Sequence, residues 1–143
     1  MSENIREPLF NLLHSVKRTM RNNTNLSDYG LTLLHLRVLK IIHADDKQIT
    51  ANDIVQKTLI DKAQLARLIK ELLTLDYIIK LDNPKDRRSY YLRLTPTGVA
   101  IIQMLTAVEL QMNDVMKGSL TDNEINEFKR IAKVMADNLN HHL

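Results

Sequence analysis

The residues with the clearest chemical potential are three polar side chains in the middle of the chain, Gln64, Arg67 and Lys70. Their spacing places them on one face of a helix, together with Lys62 and the small Ala63. A Gln amide fits N6 and N7 of adenine, and an Arg guanidinium fits O6 and N7 of guanine, each through two hydrogen bonds. This face therefore predicts a helix that reads the major groove of DNA. The alternative is a solvated charged face, which is common on single helices.

The same segment has an apolar stripe, and a shorter helix precedes it. The stripe recurs at i, i+3, i+4 and i+7 and comprises Leu65, Leu68, Ile69 and Leu72. We predict one helix over 61–73, capped by Asp61, and a shorter one over 49–57, capped by Thr50. Two helices joined by a tight turn have the helix-turn-helix layout, in which the second enters the major groove.

The shorter helix contributes apolar and polar residues to this arrangement. Three apolar residues of the helix and its link are expected to pack beneath Leu65 and Leu68: Ile54, Val55 and Leu59. Thr50 and Asn52 lie near the helix start, where they are expected to donate hydrogen bonds to DNA phosphates.

A cationic hairpin follows the second helix. Residues 77–81 and 90–94 are rich in β-branched, aromatic and aliphatic residues, which predicts two strands. Asn83-Pro84 is a turn signal in the loop between them. Three cations lie within four residues of that loop, Lys85, Arg87 and Arg88. Arginines placed in this way suit a narrow minor groove, whereas an ordinary polar hairpin tip would not need them.

Residues 86–98, DRRSYYLRLTPTG, resemble the D-x-R…L-x-L-T-x-x-G wing signature of the MarR family of winged-helix transcription regulators. The resemblance extends in outline over nearly the whole chain. It implies that Asp86 holds Arg88 by a salt bridge. One position departs from the family pattern, because Asp76 stands where the family often has Gly. A left-handed helix cap tolerates Asp at some energetic cost, so we expect local strain at Asp76.

The flanking segments are predicted to be amphipathic helices. The first covers 5–20, and another covers 31–44 with Thr32 as its cap. Thr95-Pro96 begins a long helix that Gly118-Ser119 ends, and residues 121–124 form a capping box for the last helix. The predicted fold is mainly α with a small β-hairpin (α+β). It has a winged helix-turn-helix core over 30–98.

The terminal helices, 1–29 and 99–143, carry apolar seams that a core of this size cannot cover. We therefore predict that they form a dimerisation domain, whereas a monomeric bundle folded back on the core is the alternative. The resemblance favours a homodimer, because the family joins its subunits through the first and last helices. The predicted dimerisation residues are Leu9, Leu12, Leu105, Met112, Phe128, Met135 and Leu139.

Composition excludes several function classes. There is no cysteine, so disulfides and thiol redox sensing are excluded. Three of the histidines are dispersed and the other two are adjacent near the end of the sequence, none with metal-ligand spacing. Only three glycines are present, so no metal, cofactor or enzymatic activity is expected. No 18-residue apolar stretch and no signal-peptide pattern occur, which predicts a cytoplasmic protein without a membrane partner.

The distribution of charge agrees with one DNA-binding face. Residues 61–93 hold eight Lys and Arg against five Asp and Glu, whereas residues 94–143 hold four against six. We predict a sequence-specific transcriptional regulator, acting as a repressor, that binds a pseudo-palindromic DNA duplex. The alternative is a winged-helix module that binds another protein.

The resemblance also implies regulation by a small molecule. In that family, small anionic or phenolic ligands bind between the dimerisation helices and the winged core and reduce the affinity for DNA. Four residues on the corresponding helices could pair with an anion: His14, Lys17, His35 and Arg37. Each of them is also a common type of surface or internally bonded residue.

Overall fold

A computed structural model describes residues 4–45 and 48–143 of the chain, and these form six α-helices and one β-hairpin. The helices are α1 (Arg6–Asn23), α2 (Leu33–Ala44), α3 (Ala51–Lys57), α4 (Lys62–Thr74), α5 (Pro96–Lys117) and α6 (Asp122–His142). The strands are β1 (Ile78–Asp82) and β2 (Tyr90–Leu94). The mainly α class with a small hairpin, predicted from sequence, is confirmed. Residues 1–3 of the predicted N-terminal dimerisation segment lie outside the described residues.

The chain divides into two compact units, Met1–Glu109 and Leu110–Leu143. The first contains the helix-turn-helix and the hairpin. A short 3-10 helix, Leu26–Tyr29, precedes α2 in this unit. It was absent from the sequence prediction, because four residues are too few to show an apolar periodicity. No helix in the described part of the chain is long and apolar enough to span a membrane.

The helix-turn-helix forms as predicted, with one correction in the link between α3 and α4. The Asp61 side chain caps α4 by accepting from the Gln64 amide at 2.8 Å. Leu59, expected to pack beneath α4, is instead 66% exposed, and Ile60 is buried in its place. The Thr58 hydroxyl explains this, because it donates to the Ile54 carbonyl at 2.9 Å and accepts from the Ile60 amide at 3.2 Å. The link therefore turns one residue later than expected.

The core of the first unit lies beneath α4 and the hairpin. The apolar stripe of α4 is buried as predicted, and Ile54 of α3 is also fully buried. The two strands pair antiparallel, from Ile78 opposite Leu94 to Asp82 opposite Tyr90. Ile49, which we predicted to begin the α3 helix, instead forms a β-bridge with Leu92, whose amide donates to the Ile49 carbonyl at 2.9 Å. This bridge ties the hairpin to the start of α3.

Helix α4 ends in a left-handed turn at Asp76, which has φ 61°. The Asp76 amide donates to the Leu73 carbonyl at 3.1 Å, and the Tyr77 amide donates to the Leu72 carbonyl at 3.0 Å. These two bonds define a Schellman cap, in which glycine is preferred at the position that Asp76 occupies. The strain expected at Asp76 is therefore located at the junction between the reading helix and the hairpin.

We expect Asp76→Gly to stabilise the fold by roughly 0.5–1 kcal/mol. The left-handed conformation costs a residue with a Cβ atom about 1–2 kcal/mol, and the greater freedom of glycine in the unfolded chain offsets about 0.5–1 kcal/mol of the gain. Urea denaturation monitored by circular dichroism would measure the difference. Asp76→Ala is the control and should destabilise, and a destabilising Asp76→Gly would contradict the assignment of strain.

The start of α5 is fixed against the turn that follows α4. Thr95 donates its amide to the Tyr77 carbonyl at 3.0 Å and its hydroxyl to the Asp76 carbonyl at 2.7 Å. The same hydroxyl accepts from the Gly98 amide at 3.0 Å. A Cβ atom at Gly98 would lie 2.2 Å from the Tyr77 carbonyl oxygen. The Thr and Gly of the wing signature thus join α5 to the α4–β1 turn.

The second unit contains the end of α5 and all of α6. Thr121 and Glu124 form the predicted capping box, with bonds of 2.9 and 3.1 Å. No residue of α6 is buried, and its apolar stripe is exposed, including Phe128 at 54% and Leu139 at 63%. An amphipathic helix of this kind needs a surface that covers its apolar stripe.

Candidate nucleic-acid interface

The exposed face of α4 carries the side chains that were predicted to read DNA. Lys62, Ala63, Arg67 and Lys70 are exposed, and Gln64 is half-buried. The Asp61 cap leaves the first turn of α4 regular, and the buried stripe fixes the rotation of the helix about its axis. The structure therefore brings these five residues together on one surface of the first unit.

Arg67 is held by a residue that the sequence prediction missed. One of its terminal nitrogens donates to Glu71 Oε1 at 2.9 Å, one helical turn further along α4. The second carboxylate oxygen, Oε2, lies 2.5 Å from His35 Nε2 of α2. The i, i+4 spacing of Arg67 and Glu71 was visible in the sequence and predicts such a pair. The contact with α2 was not visible, because it depends on how the two helices pack.

The pKa of the Glu71 carboxyl is lowered, first by the hydrogen bond from His35 and then by Arg67. A carboxyl whose pKa falls on folding stabilises the folded chain above its unfolded pKa. This stabilisation is lost as the pH falls through the lower, folded pKa. The carboxylate is therefore ionised at neutral pH, in the state that accepts from both Arg67 and His35.

The hairpin tip has a defined conformation. The Asn83 side chain accepts from the Lys85 amide at 3.0 Å and donates to the Ser89 hydroxyl at 3.0 Å. Asp86 Oδ1 accepts from the Arg88 amide at 2.9 Å and lies 3.4 Å from Arg88 Nε. The Asp86–Arg88 salt bridge implied by the resemblance is therefore confirmed.

The same tip presents its cations to solvent. Lys85 and Arg87 are exposed, and the Arg88 side chain is 93% exposed. Next to the tip, the Lys80 ammonium lies 4.3 Å from the centre of the Tyr90 ring, a cation–π contact between the strands. A tip that is fixed by internal bonds can present arginines to a groove with little loss of backbone freedom.

The predicted phosphate contacts lie at the start of α3. The Thr50 hydroxyl accepts from the Asp53 amide at 3.2 Å, and the Thr50 amide donates to Asp53 Oδ2 at 3.0 Å. Thr50 is half-buried and Asn52 is exposed. The capping box uses the Thr50 amide, so the Thr50 hydroxyl proton is the donor of this residue that remains for a phosphate, beside the side-chain amide of Asn52.

A cavity of about 690 Å³ lies between α1, the 3-10 helix and α2 in the first unit. Of the four predicted ligand-binding residues, Lys17 and Arg37 line it, together with Arg21, which the sequence prediction missed. Arg21 follows Lys17 at i+4, so helical spacing could have identified it. His14 is exposed on α1 and lies outside this lining.

The assignment of His35 as a ligand-binding residue needs correction. His35 is buried, its Nδ1 accepts from the Thr32 amide at 3.0 Å, and its Nε2 contacts Glu71. Both ring nitrogens are therefore occupied, and none is available to an anion. Leu105 also needs correction as a dimerisation residue, because its side chain is fully buried within the single chain and has no surface to offer a partner.

A two-helix reading unit followed by a cationic hairpin defines a winged helix-turn-helix DNA-binding protein. The model of the MarR family matches residues 29–89, which include α2, α3, α4, β1 and the hairpin tip. The HTH-type transcriptional regulator SarZ of Staphylococcus aureus is 29% identical over 126 residues, which are 87% of this chain and 78% of SarZ. This chain is similar to the MarR family of transcription regulators in the sequence of its helix-turn-helix and in fold over nearly its whole length.

Two solved structures extend the similarity over the length of the chain. A mutant MarR from E. coli, complexed with operator DNA, has a TM-score of 0.73 and 25% identity, and covers 94% of this chain and 99% of that one. The PcaV regulator from Streptomyces coelicolor, solved with its natural ligand, has a TM-score of 0.82 and 18% identity, and covers 94% and 93%. The chain is a DNA-binding transcriptional regulator and not an enzyme, and a module that only binds proteins is not favoured.

Proposed function

We propose that two copies of this chain bind one pseudo-palindromic duplex and repress transcription from it. The observation that carries the proposal is the exposed cationic face of α4 beside a hairpin tip whose Arg88 is held by Asp86. In a two-fold dimer, the two reading helices lie about 34 Å apart, which is one turn of DNA. Lys62, Gln64, Arg67 and Lys70 then contact the major groove. We place the protein in the cytoplasm, with the DNA that it binds.

The dimer is supported by apolar surface on the terminal helices, which we assign to residues 1–29 and 99–143. Leu9 and Leu12 of α1 are exposed, as are Phe128, Met135 and Leu139 of α6, and Met112 is half-buried. Burying such apolar surface in an interface lowers the free energy by roughly 25 cal/mol for each Å² removed from water. Residues 30–98 then form the DNA-binding core. Sedimentation velocity distinguishes this dimer from a monomeric bundle.

We further propose that a small organic anion enters the cavity and releases the DNA. Lys17, Arg21 and Arg37 supply positive charge at its wall, and apolar residues such as Met20 and Leu31 line the remainder. PcaV was solved with its natural ligand, so a regulator of this fold can hold a small molecule. The test is to titrate phenols and aromatic carboxylates into the protein–operator complex. Release by a carboxylate from the wild type and not from Arg37→Ala supports the site.

The proposed function is tested by selecting operator fragments from a random pool and measuring affinity against salt. Neutralising several phosphates makes the logarithm of affinity fall with the logarithm of salt, by about 0.9 for each phosphate contacted. A hydrophobic contact with another protein responds little to salt. A selected pool without a two-fold repeat, or an affinity that ignores salt, would overturn the proposal.

We expect Arg88→Ala to weaken operator binding by about 1–3 kcal/mol without unfolding the dimer, because the arginine is solvent-exposed and pairs with Asp86 of its own loop. Fluorescence anisotropy at fixed salt measures the change. Arg130→Ala, which removes an arginine from α6, is the matched control and should leave the affinity nearly unchanged. Equal affinities of Arg88→Ala and wild type would reject the minor-groove role of Arg88.

A further inference from the structure

Four residues on α2 and α4 form a chain of hydrogen bonds that ends on the DNA-facing surface. Thr32 caps α2, His35 lies three residues later in the same capping box, and Glu71 and Arg67 lie on α4. His35 is buried, Glu71 is half-buried, and the Arg67 side chain is 60% exposed. The chain thus runs from the interior of the first unit to its reading face.

The neighbours of His35 determine which ring nitrogen faces Glu71 with a proton. Nδ1 lies 3.0 Å from the Thr32 amide and 2.9 Å from the Thr32 hydroxyl. The ionised carboxylate of Glu71 can only accept a hydrogen bond. Nε2 therefore carries the hydrogen and donates to Glu71 Oε2 at 2.5 Å. His35 accordingly holds one oxygen of Glu71 in place and leaves the other, Oε1, for Arg67.

We propose that His35 and Glu71 are positioning residues that fix the Arg67 guanidinium and so set the preference of α4 for one guanine in each operator half-site. This inference rests on the proposed function, because it assumes that α4 reads the major groove. Glu71 occupies one terminal nitrogen of Arg67, and the remaining donors of the planar guanidinium stay available for a base. A fixed side chain loses less conformational freedom on binding than a mobile one.

The negative charge of Glu71 has a second effect on recognition. A carboxylate beside the major groove repels phosphates, so it weakens the binding of any duplex regardless of sequence. It also keeps Arg67 from turning toward the DNA backbone, where a cation adds affinity without specificity. Glu71 therefore lowers non-specific binding while it raises discrimination at one base pair. A residue with a purely structural role would change neither quantity in this way.

The experiment measures discrimination, defined as the affinity for the selected operator divided by that for an operator with the guanine pair replaced. Replacing each base pair of the half-site in turn identifies the guanine as the position where Arg67→Ala loses about tenfold discrimination. At that position we expect Glu71→Gln to lose severalfold discrimination and to bind random-sequence duplex more tightly than the wild type. Added to Arg67→Ala, the Glu71→Gln change should cause no further loss of discrimination.

Two further variants serve as a control and as a second test of the positioning role. Glu127→Gln is the matched control, because Glu127 accepts from Arg130 on α6 in the same manner, and it should change neither readout. His35→Asn is the second variant. Its side-chain oxygen takes the place of Nδ1 beside Thr32, but no atom of it reaches Glu71, so discrimination should fall in the same direction. If Glu71→Gln does not fold, the discrimination of His35→Asn tests the positioning role instead.

The outcomes separate the two proposals. If the wild type selects an operator and Glu71→Gln and His35→Asn both keep full discrimination, the positioning role is overturned and the proposed function stands. Additive losses in the Arg67→Ala, Glu71→Gln double variant would also overturn it, because they would show that Glu71 acts independently of Arg67. If the wild type selects no operator, the proposed function itself fails.

Discussion

Gly98→Ala is expected to destabilise the fold by about 3 kcal/mol or more, because overpacking against a rigid neighbour costs at least this in severe cases. The added Cβ atom would lie 2.2 Å from the Tyr77 carbonyl oxygen, which is backbone and cannot rotate away. Relief of the clash would separate the start of α5 from the α4–β1 turn. The two bonds from Thr95 to Asp76 and Tyr77 would then lengthen. Urea denaturation measures the loss.

Helix propensity alone predicts that Gly98→Ala stabilises the fold, so a measured destabilisation would point to the steric clash. Alanine in a helix interior is about 1 kcal/mol more favourable than glycine. Gly118→Ala is the matched control: its Cβ atom would meet only the Val115 carbonyl oxygen, at an ordinary 3.6 Å, and the strain comes from φ +51°. We expect a loss of about 1–2 kcal/mol there. A Gly98→Ala variant as stable as the wild type would show that α5 does not depend on this close approach.

Replacing Phe128 and Met135 together by Asp is expected to give a monomer that binds the operator at least about a hundredfold more weakly, because linked half-sites gain 10²–10⁴ in avidity. Both side chains are exposed in the single chain, so the charges can remain hydrated in the monomer. A dimer interface would instead bury them without partners, which costs several kcal/mol. Sedimentation velocity and operator titration measure the two effects.

The control for this variant is Asn126→Asp combined with Asn140→Asp, which adds the same charge to the polar side of α6. This pair should remain dimeric and should bind the operator with nearly the wild-type affinity. If the Phe128 and Met135 replacements left the protein dimeric, the assignment of α6 to the subunit interface would be wrong. A monomer that kept full affinity would instead reject the need for two linked reading helices.

The sequence predicted those features that depend on residues close together in the chain. The cap at Thr50, the capping box at Thr121 and the Asp61 cap follow from local signals, and the left-handed turn at Asp76 was expected from the resemblance to the family. The exposed face of α4 and the Asp86–Arg88 pair were also accessible, through periodicity and through the resemblance of the wing.

The features that sequence missed depend on tertiary packing. The bridge between Ile49 and Leu92, and the contact of His35 with Glu71, join residues that lie 43 and 36 positions apart. Leu105 shared the helical periodicity of exposed residues, so its burial could not be distinguished from an interface role by spacing. Leu59 is exposed and Ile60 is buried because the hydrogen bonds of the Thr58 hydroxyl bend the link. The spacing of apolar residues in the sequence does not reveal these bonds.

The absence of any buried residue in α6 has a thermodynamic consequence. If the apolar stripe of this helix is covered only when two subunits meet, association and folding are coupled through mass action. The melting temperature of the protein should then rise with its concentration, and dilution alone should loosen α6. The amount of regulator in a cell would therefore set both its occupancy of DNA and its own resistance to proteolysis.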